Sequence, residues 1–278
     1  MKNSLGVMQG RLLPKYKGRY QAHPVKYWQD EFNVAASLNL DCIEFILDFN
    51  DINENPLIKS GGLEEIMLVS KKSGVVVKTI CADYFMEAPL HSKDSMISSE
   101  SQRVMLMLLK SAKILGIKDI VLPCVDQSSL KNPKAVGRFV NSLEALLMVA
   151  EDYNINFSLE TDLNPQSFVN LLDQFNSNNI KVNYDIGNSA SLGYNPLEEL
   201  SAYGDKISDI HIKDRGLNGG PKILGNGDAD FDVFFKKLKE FDYIGPFIMQ
   251  AYRDDEGINV FVEQLDWIKK YFSKYNYI

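Results

Sequence analysis

The feature that most constrains this chain is an alternation repeated eight times along it: a short apolar run of strand type, then a segment with helical spacing. The runs are LGVMQ (5–9), CIEFIL (42–47), VVVKTIC (75–81), DIVLPC (119–124), INFSLE (155–160), KVNYD (181–185), ISDIHI (207–212) and PFIMQ (246–250). Segments long enough for crossover helices follow them at 31–40, 63–73, 99–115, 134–153, 165–176, 196–203, 231–240 and 260–274. In the clearest of these, Val104, Met105, Leu108, Leu109, Ala112 and Leu115 recur at steps of three and four, which is the spacing of one buried helical face. Strand and helix in alternation dictate a parallel sheet, and eight such pairs in 278 residues fit a closed barrel better than an open sheet. The expectation is an α/β protein, a single (β/α)8 TIM barrel spanning 1–278 as one domain. After the first run, Met8-Gln9-Gly10-Arg11-Leu12 holds one glycine, so it carries neither a dinucleotide-binding nor a P-loop fingerprint.

Composition narrows the function classes. A net charge of −7 argues against broad nucleic-acid binding, which rests on neutralising phosphates with Lys and Arg. No apolar stretch approaches the roughly 20 residues of a membrane span, and the first residues lack the apolar block of a secretory signal. A cytoplasmic location with no membrane partner is the expectation. Cys42, Cys81 and Cys124 are odd in number, lack metal-type spacing and lie in apolar runs, so buried free thiols are expected. The acidity is uneven. Lys2, Arg11, Lys15, Lys17, Arg19 and Lys26 fall within 1–29 without one acidic residue, either as a solvated loop or to meet an anionic substrate group.

In a (β/α)8 barrel the active site lies at the C-terminal ends of the strands, so polar residues ending several apolar runs are informative. The fifth run ends at Glu160, the sixth at Asp185, the seventh near His211 and the eighth at Gln250. Alone, each has an ordinary structural explanation as a cap or a hydrogen-bonded core residue. Together they bring two carboxylates, an imidazole and an amide oxygen to one place. That set suits one divalent metal ion, Mn2+, Co2+, Mg2+ or Zn2+, with positions left for vicinal substrate oxygens.

These residues, with Ser158-Leu159-Glu160, Tyr184-Asp185-Ile186-Gly187-Asn188, His211-Ile212-Lys213-Asp214-Arg215 and the glycine-containing segment Leu224 to Phe231, resemble the xylose isomerase-like barrel superfamily of sugar and sugar phosphate isomerases and epimerases. The resemblance extends over nearly the whole chain. In the epimerases of that superfamily a Glu–Asp–His–Glu set holds one divalent metal, and its two glutamates exchange the substrate's proton on opposite faces. The resemblance implies that Glu160, Asp185 and His211 are ligands. The fourth position departs from it: Gln250 can offer an oxygen to a metal but cannot take a proton from carbon. Asn188 stands where some epimerases carry His, and Pro165-Gln166 where a second substrate-contacting Glu is common.

The implied chemistry is removal of a proton next to a carbonyl, giving an enediolate, with Glu160 as candidate base. Proton return then falls to Glu44, Lys213 or Asp214, with Glu44 in the second run either lining the top of the barrel or serving as a barrel-interior or helix-facing polar residue. Arg11, Lys15, Asn188, Lys213 and Arg215 are the candidate substrate contacts, with Lys222 after the glycine-rich 216–220. The cations favour a small sugar bearing phosphate or carboxylate. Tyr84 and Phe85, after the third run, are candidates to cover an apolar substrate edge or to pack as core. The readings carried forward are an isomerase or epimerase, an inosose-type dehydratase using Lys213 as acid, and a degenerate barrel that binds sugar without turnover. A three-metal abasic-site endonuclease fits poorly, since the chain has three histidines in all. A homo-oligomer is compatible with the fold by analogy only.

Overall fold

The computed structural model describes residues 3–277. Its eight main strands close into a parallel barrel. They are β1 Leu5–Met8, β2 Cys42–Ile46, β3 Val76–Cys81, β4 Asp119–Cys124, β5 Asn156–Thr161, β6 Ile180–Asp185, β7 Ile207–Ile212 and β8 Phe247–Met249. Each strand pairs with its sequence neighbours, and β8 closes the ring against β1 through Leu5 with Phe247, Gly6 with Ile248 and Val7 with Met249. The eight runs read from the sequence are these strands, within about two residues at either end. Parallel strands covered by helices are buried on both faces, and that makes them continuous apolar runs.

The helices stop and start where backbone chemistry requires it. Asn132, Asn164 and Asn195 each cap a helix N-terminus with a side-chain oxygen, each is followed by Pro at the first helical position, and the three helices run Pro133–Tyr153, Pro165–Leu172 and Pro196–Tyr203. Proline has no amide to leave unsatisfied there. The helix Ser95–Leu115 buries Val104, Met105, Leu108, Leu109 and Ala112 against the barrel, as the spacing predicts. Each of the four larger side chains contributes about 2 kcal/mol before entropy is set against it.

Inside the ring, Met8, Cys42, Ile46, Cys81, Val121 and Ile248 form an apolar cluster. The three cysteines are buried and free, as expected. Beside that cluster the interior turns polar with Glu44, Thr79, Asp209 and His211, all buried. Among the described residues no helix is long and apolar enough to cross a membrane.

Three elements near the C-terminal strand ends were not anticipated. A one-turn helix, Tyr84–Glu87, follows β3. A helix, Ile186–Leu192, starts directly at the end of β6. Asp214–Arg215 pairs with Pro221–Lys222 as a small antiparallel ribbon. The helix over Tyr84 and Phe85 buries both rings, which pack edge to face on each other, so they belong to the core and not to a substrate wall.

Candidate active site

The C-terminal strand ends open into a cleft of about 390 Å³. Glu160 of β5, Asp162 beyond it, Asn188 after β6, Lys213 and Arg215 after β7, and Gln250 after β8 line it, with Asp83, Gln21 and Lys131. Glu160 on its lining meets the buried Asp185 and His211, with one ligand atom from each lying within 4.8 Å of the other two.

His211 is held from behind. Its Nε2 lies 2.8 Å from Glu44 Oε1, and Thr79 Oγ1 donates to the other Glu44 oxygen at 2.6 Å. With Nε2 donating to Glu44, Nδ1 is the nitrogen that faces Glu160 Oε2 at 3.8 Å and Asp185 Oδ2 at 3.9 Å. Burial works to keep this imidazole neutral, but Glu44, then Glu160 and Asp185, outweigh it and push its pKa up to about 9. Nδ1 must therefore give up a proton before it can act as a metal ligand. Asp209, on β7 two residues before His211, faces Glu44 inside the barrel, where burial and then Glu44's charge push its carboxyl far up.

Asp185 caps the helix that follows it, accepting from Asn188 N at 2.8 Å, and this places the Asn188 side chain over the cleft. The Asn188 amide donates to Glu160 Oε1 at 2.6 Å, while its oxygen accepts from Lys213 Nζ at 3.2 Å and from Arg215 Nη1 at 2.8 Å. Lys213 Nζ also lies 3.4 Å from Asp185. Burial, then the like charge of Asp185, push Glu160 up to about 7 against the pull of His211 and Lys213. A carboxylate poised near neutrality suits a general base.

Gln250 is buried, and its Nε2 donates to Gln21 Oε1 at 2.9 Å, while its Oε1 has no hydrogen-bond partner. An amide oxygen left without a donor in the cleft that Glu160 also lines fits a divalent ion better than it fits a purely structural role.

Several expected roles change with the geometry. Glu44 has no exposed surface and lies behind His211, so it is placed to orient the imidazole and has no access to substrate for proton return. Lys15 does not line the cleft but forms an exposed pair with Asp255 at 2.7 Å. Lys17 and Arg19 pair with Asp51 and Asp48, so the cationic N-terminal segment is largely neutralised by acids from other parts of the chain. Lys2 lies outside the described residues. Arg11 is partly buried, donating to Ala251 O and Gln21 Oε1, and it reaches the cleft only through Gln21. Asp214 accepts the amides of Gly225, Gly227 and Ala229 and holds the glycine turn. Lys222 is exposed on the ribbon. Asp83, Gln21 and Lys131 were missed by sequence reasoning. For Asp83 the sequence does carry a signal, a carboxylate two residues past the third apolar run.

Fold and cleft together define a (β/α)8 barrel with a metal-type donor set at its C-terminal face. The family described as xylose isomerase-like TIM barrel matches residues 32–271, and the chain belongs to it. A relative from Escherichia coli O1:K1, named L-ribulose-5-phosphate 3-epimerase, is 24% identical over 259 residues, covering 89% of this chain and 90% of its own. Among solved structures, a xylose isomerase domain protein from Planctomyces limnophilus superposes with a TM-score of 0.78 at 18% identity over all of both chains. A D-psicose 3-epimerase determined in the presence of D-fructose superposes at 0.74 and 17% identity, over 97% of this chain and 99% of that one.

Proposed function

We propose that this enzyme epimerises a small ketose or ketose phosphate by moving a proton on and off the carbon next to the carbonyl. The observation that carries the reading is the convergence of Asp185 and His211 on Glu160, in a cleft that Gln250, with its unpartnered oxygen, also lines. The named 3-epimerase matching almost the whole chain supports it.

Glu160, Asp185, His211 and Gln250 are the residues that would hold one divalent ion, whose contribution is to polarise the carbonyl and steady the charge that builds on it. The protein does the rest. Glu160 takes the proton, positioned by Asn188, which holds one of its carboxylate oxygens. Lys213 stands beside Asp185 as a cation toward the developing negative charge. Lys131 and Arg215 at the cleft suit an anionic group on the substrate, which favours a sugar phosphate.

The amide at 250 favours a second reading, aldose–ketose isomerisation, because one base can return the proton to the same face. Solvent exchange separates the two. With Mn2+ in D2O and a panel of ketoses, aldoses and their phosphates, epimerisation predicts deuterium next to the carbonyl together with the inverted sugar, and isomerisation predicts the aldose. No uptake from any probe would sink both. Glu160→Gln should abolish exchange, and full retention would remove Glu160 as the base.

A further inference from the structure

Inversion at a carbon needs proton transfer on two faces, and the cleft supplies one obvious base, Glu160. Gln250 cannot be the other. Of the remaining carboxylates lining the cleft, Asp162 is engaged at both oxygens, by Ser129 Oγ at 2.7 Å and Lys131 Nζ at 2.9 Å, and Asp126 is exposed on its turn.

Asp83 differs from both. It follows β3, which is separated from β5 by one strand, so it enters the cleft a quarter-turn of the barrel away from Glu160. Its Oδ2 accepts from Gln21 Nε2 at 3.0 Å, and the oxygen of that same amide accepts from Gln250 Nε2 at 2.9 Å. The carboxylate missing from the end of β8 is thus linked through one side chain to a carboxylate at the end of β3. Its Oδ1 is 3.2 Å from Cys81 Sγ, a weak donor that leaves this oxygen available.

We propose that Asp83 is the second catalytic acid/base of this barrel, acting on the substrate face that Glu160 does not serve. The inference rests on the proposed function above. In one direction Glu160 takes the proton from carbon and the C–H electron pair moves toward the carbonyl oxygen. Protonated Asp83 then gives its proton to the other face of the same carbon as the carbonyl re-forms. Glu160 ends protonated and Asp83 ionised, and exchange with water resets both. Burial raises the Asp83 carboxyl above its usual range, against the hydrogen bonds donated by Gln21 and Cys81.

The test uses the full chain with Mn2+ in D2O and, separately, L-ribulose 5-phosphate and its 3-epimer as probes, with deuterium and epimer followed by NMR. Asp83→Asn keeps the size and the Gln21 contact. Epimer formation is expected to fall about 100-fold or more, while deuterium uptake persists from the one epimer whose proton faces Glu160 and is lost from the other. Epimer formation at the unaltered rate, or uptake lost equally from both epimers in a folded variant, would overturn the assignment. Should Asp83→Asn fail to fold, Asp83→Glu is expected to keep slowed inversion, and an unchanged rate counts against the role. Absence of exchange in the unaltered protein is a different outcome, which removes the proposed function itself.

Discussion

His211 and Glu44 are joined inside the barrel by a 2.8 Å contact between Nε2 and Oε1, with neither side chain exposed. The contact fixes which nitrogen of His211 turns toward Glu160 and Asp185, and a carboxylate behind a ligating imidazole also raises its basicity. Glu44→Gln keeps the volume but loses the charge. Divalent-ion affinity, measured by competition with a fluorescent chelator, should drop about 10- to 100-fold, the usual effect of removing such a partner. Unchanged affinity in a folded variant would show that Glu44 does not tune the site.

Asn188 joins three charged groups from different strand ends, donating to Glu160 and accepting from Lys213 and Arg215. Hydrogen bonds to charged groups are worth about 1.5–3 kcal/mol, so Asn188→Ala should slow turnover roughly 10- to 100-fold. Because the side chain sits on a cleft wall, the thermal midpoint should barely move. A large fall in stability with activity per folded molecule intact would refute this division.

Most of the barrel was legible because a buried parallel strand and an amphipathic helix write different periods into the sequence, and eight of each leave few topologies. Glu160, Asp185 and His211 were legible for a related reason: they break apolar runs at the end of the barrel where ligands bind. Asp83, Gln21 and Lys131 were not read, because their role depends on how connections fold back over the cleft. Gln21, for example, belongs to the segment after β1 yet bridges residues following β3 and β8. For Glu44 the sequence leaves both the top of the barrel and its interior open, and the structure places it in the interior. Sequence shows that a strand residue is polar, and only the register of β2 against its neighbours shows it lying behind an imidazole.

Gln250→Glu restores a carboxylate where the unpartnered amide oxygen now lies. A charge in place of a dipole should tighten divalent-ion binding about tenfold or more, about 1.4 kcal/mol. Its effect on inversion should be largest in an Asp83→Asn background, where a second proton carrier is otherwise missing. Weaker ion binding in the variant would mean that position 250 faces away from the ion.

The turn after the ribbon depends on Asp214 and on glycine. Gly225 adopts φ +85°, and a Cβ on Gly227 would come within 2.1 Å of Asp214 Oδ1. Asp214→Ala removes the acceptor of three part-buried backbone amides, at a cost of about 1–3 kcal/mol for each one that water fails to reach. Urea unfolding should show a loss of about 2 kcal/mol or more for Asp214→Ala, and a comparable loss for Gly227→Ala. Loss of exchange activity without loss of stability would instead return Asp214 to the catalytic residues.

His23 sets a pH dependence of stability separate from the active site. Its ring is buried against Phe45 and Trp28, its Nδ1 meets Gln9 Oε1 at 3.2 Å, and its Nε2 has no partner. Burial lowers its pKa from 6.5 to about 4. Between those values the unfolded chain binds a proton that the folded protein refuses, so the contribution is fully present above about pH 6.5 and is lost as pH falls toward 4. One pKa unit is about 1.4 kcal/mol, so the loss from this group by pH 4.5 is about 2–3 kcal/mol. His23→Phe fills the same aromatic site without a titrating nitrogen. Its unfolding free energy should therefore fall less between pH 7 and pH 4.5 than that of the unaltered protein, by about 2 kcal/mol. Parallel pH curves for the two proteins would mean that His23 takes up its proton without opening the fold.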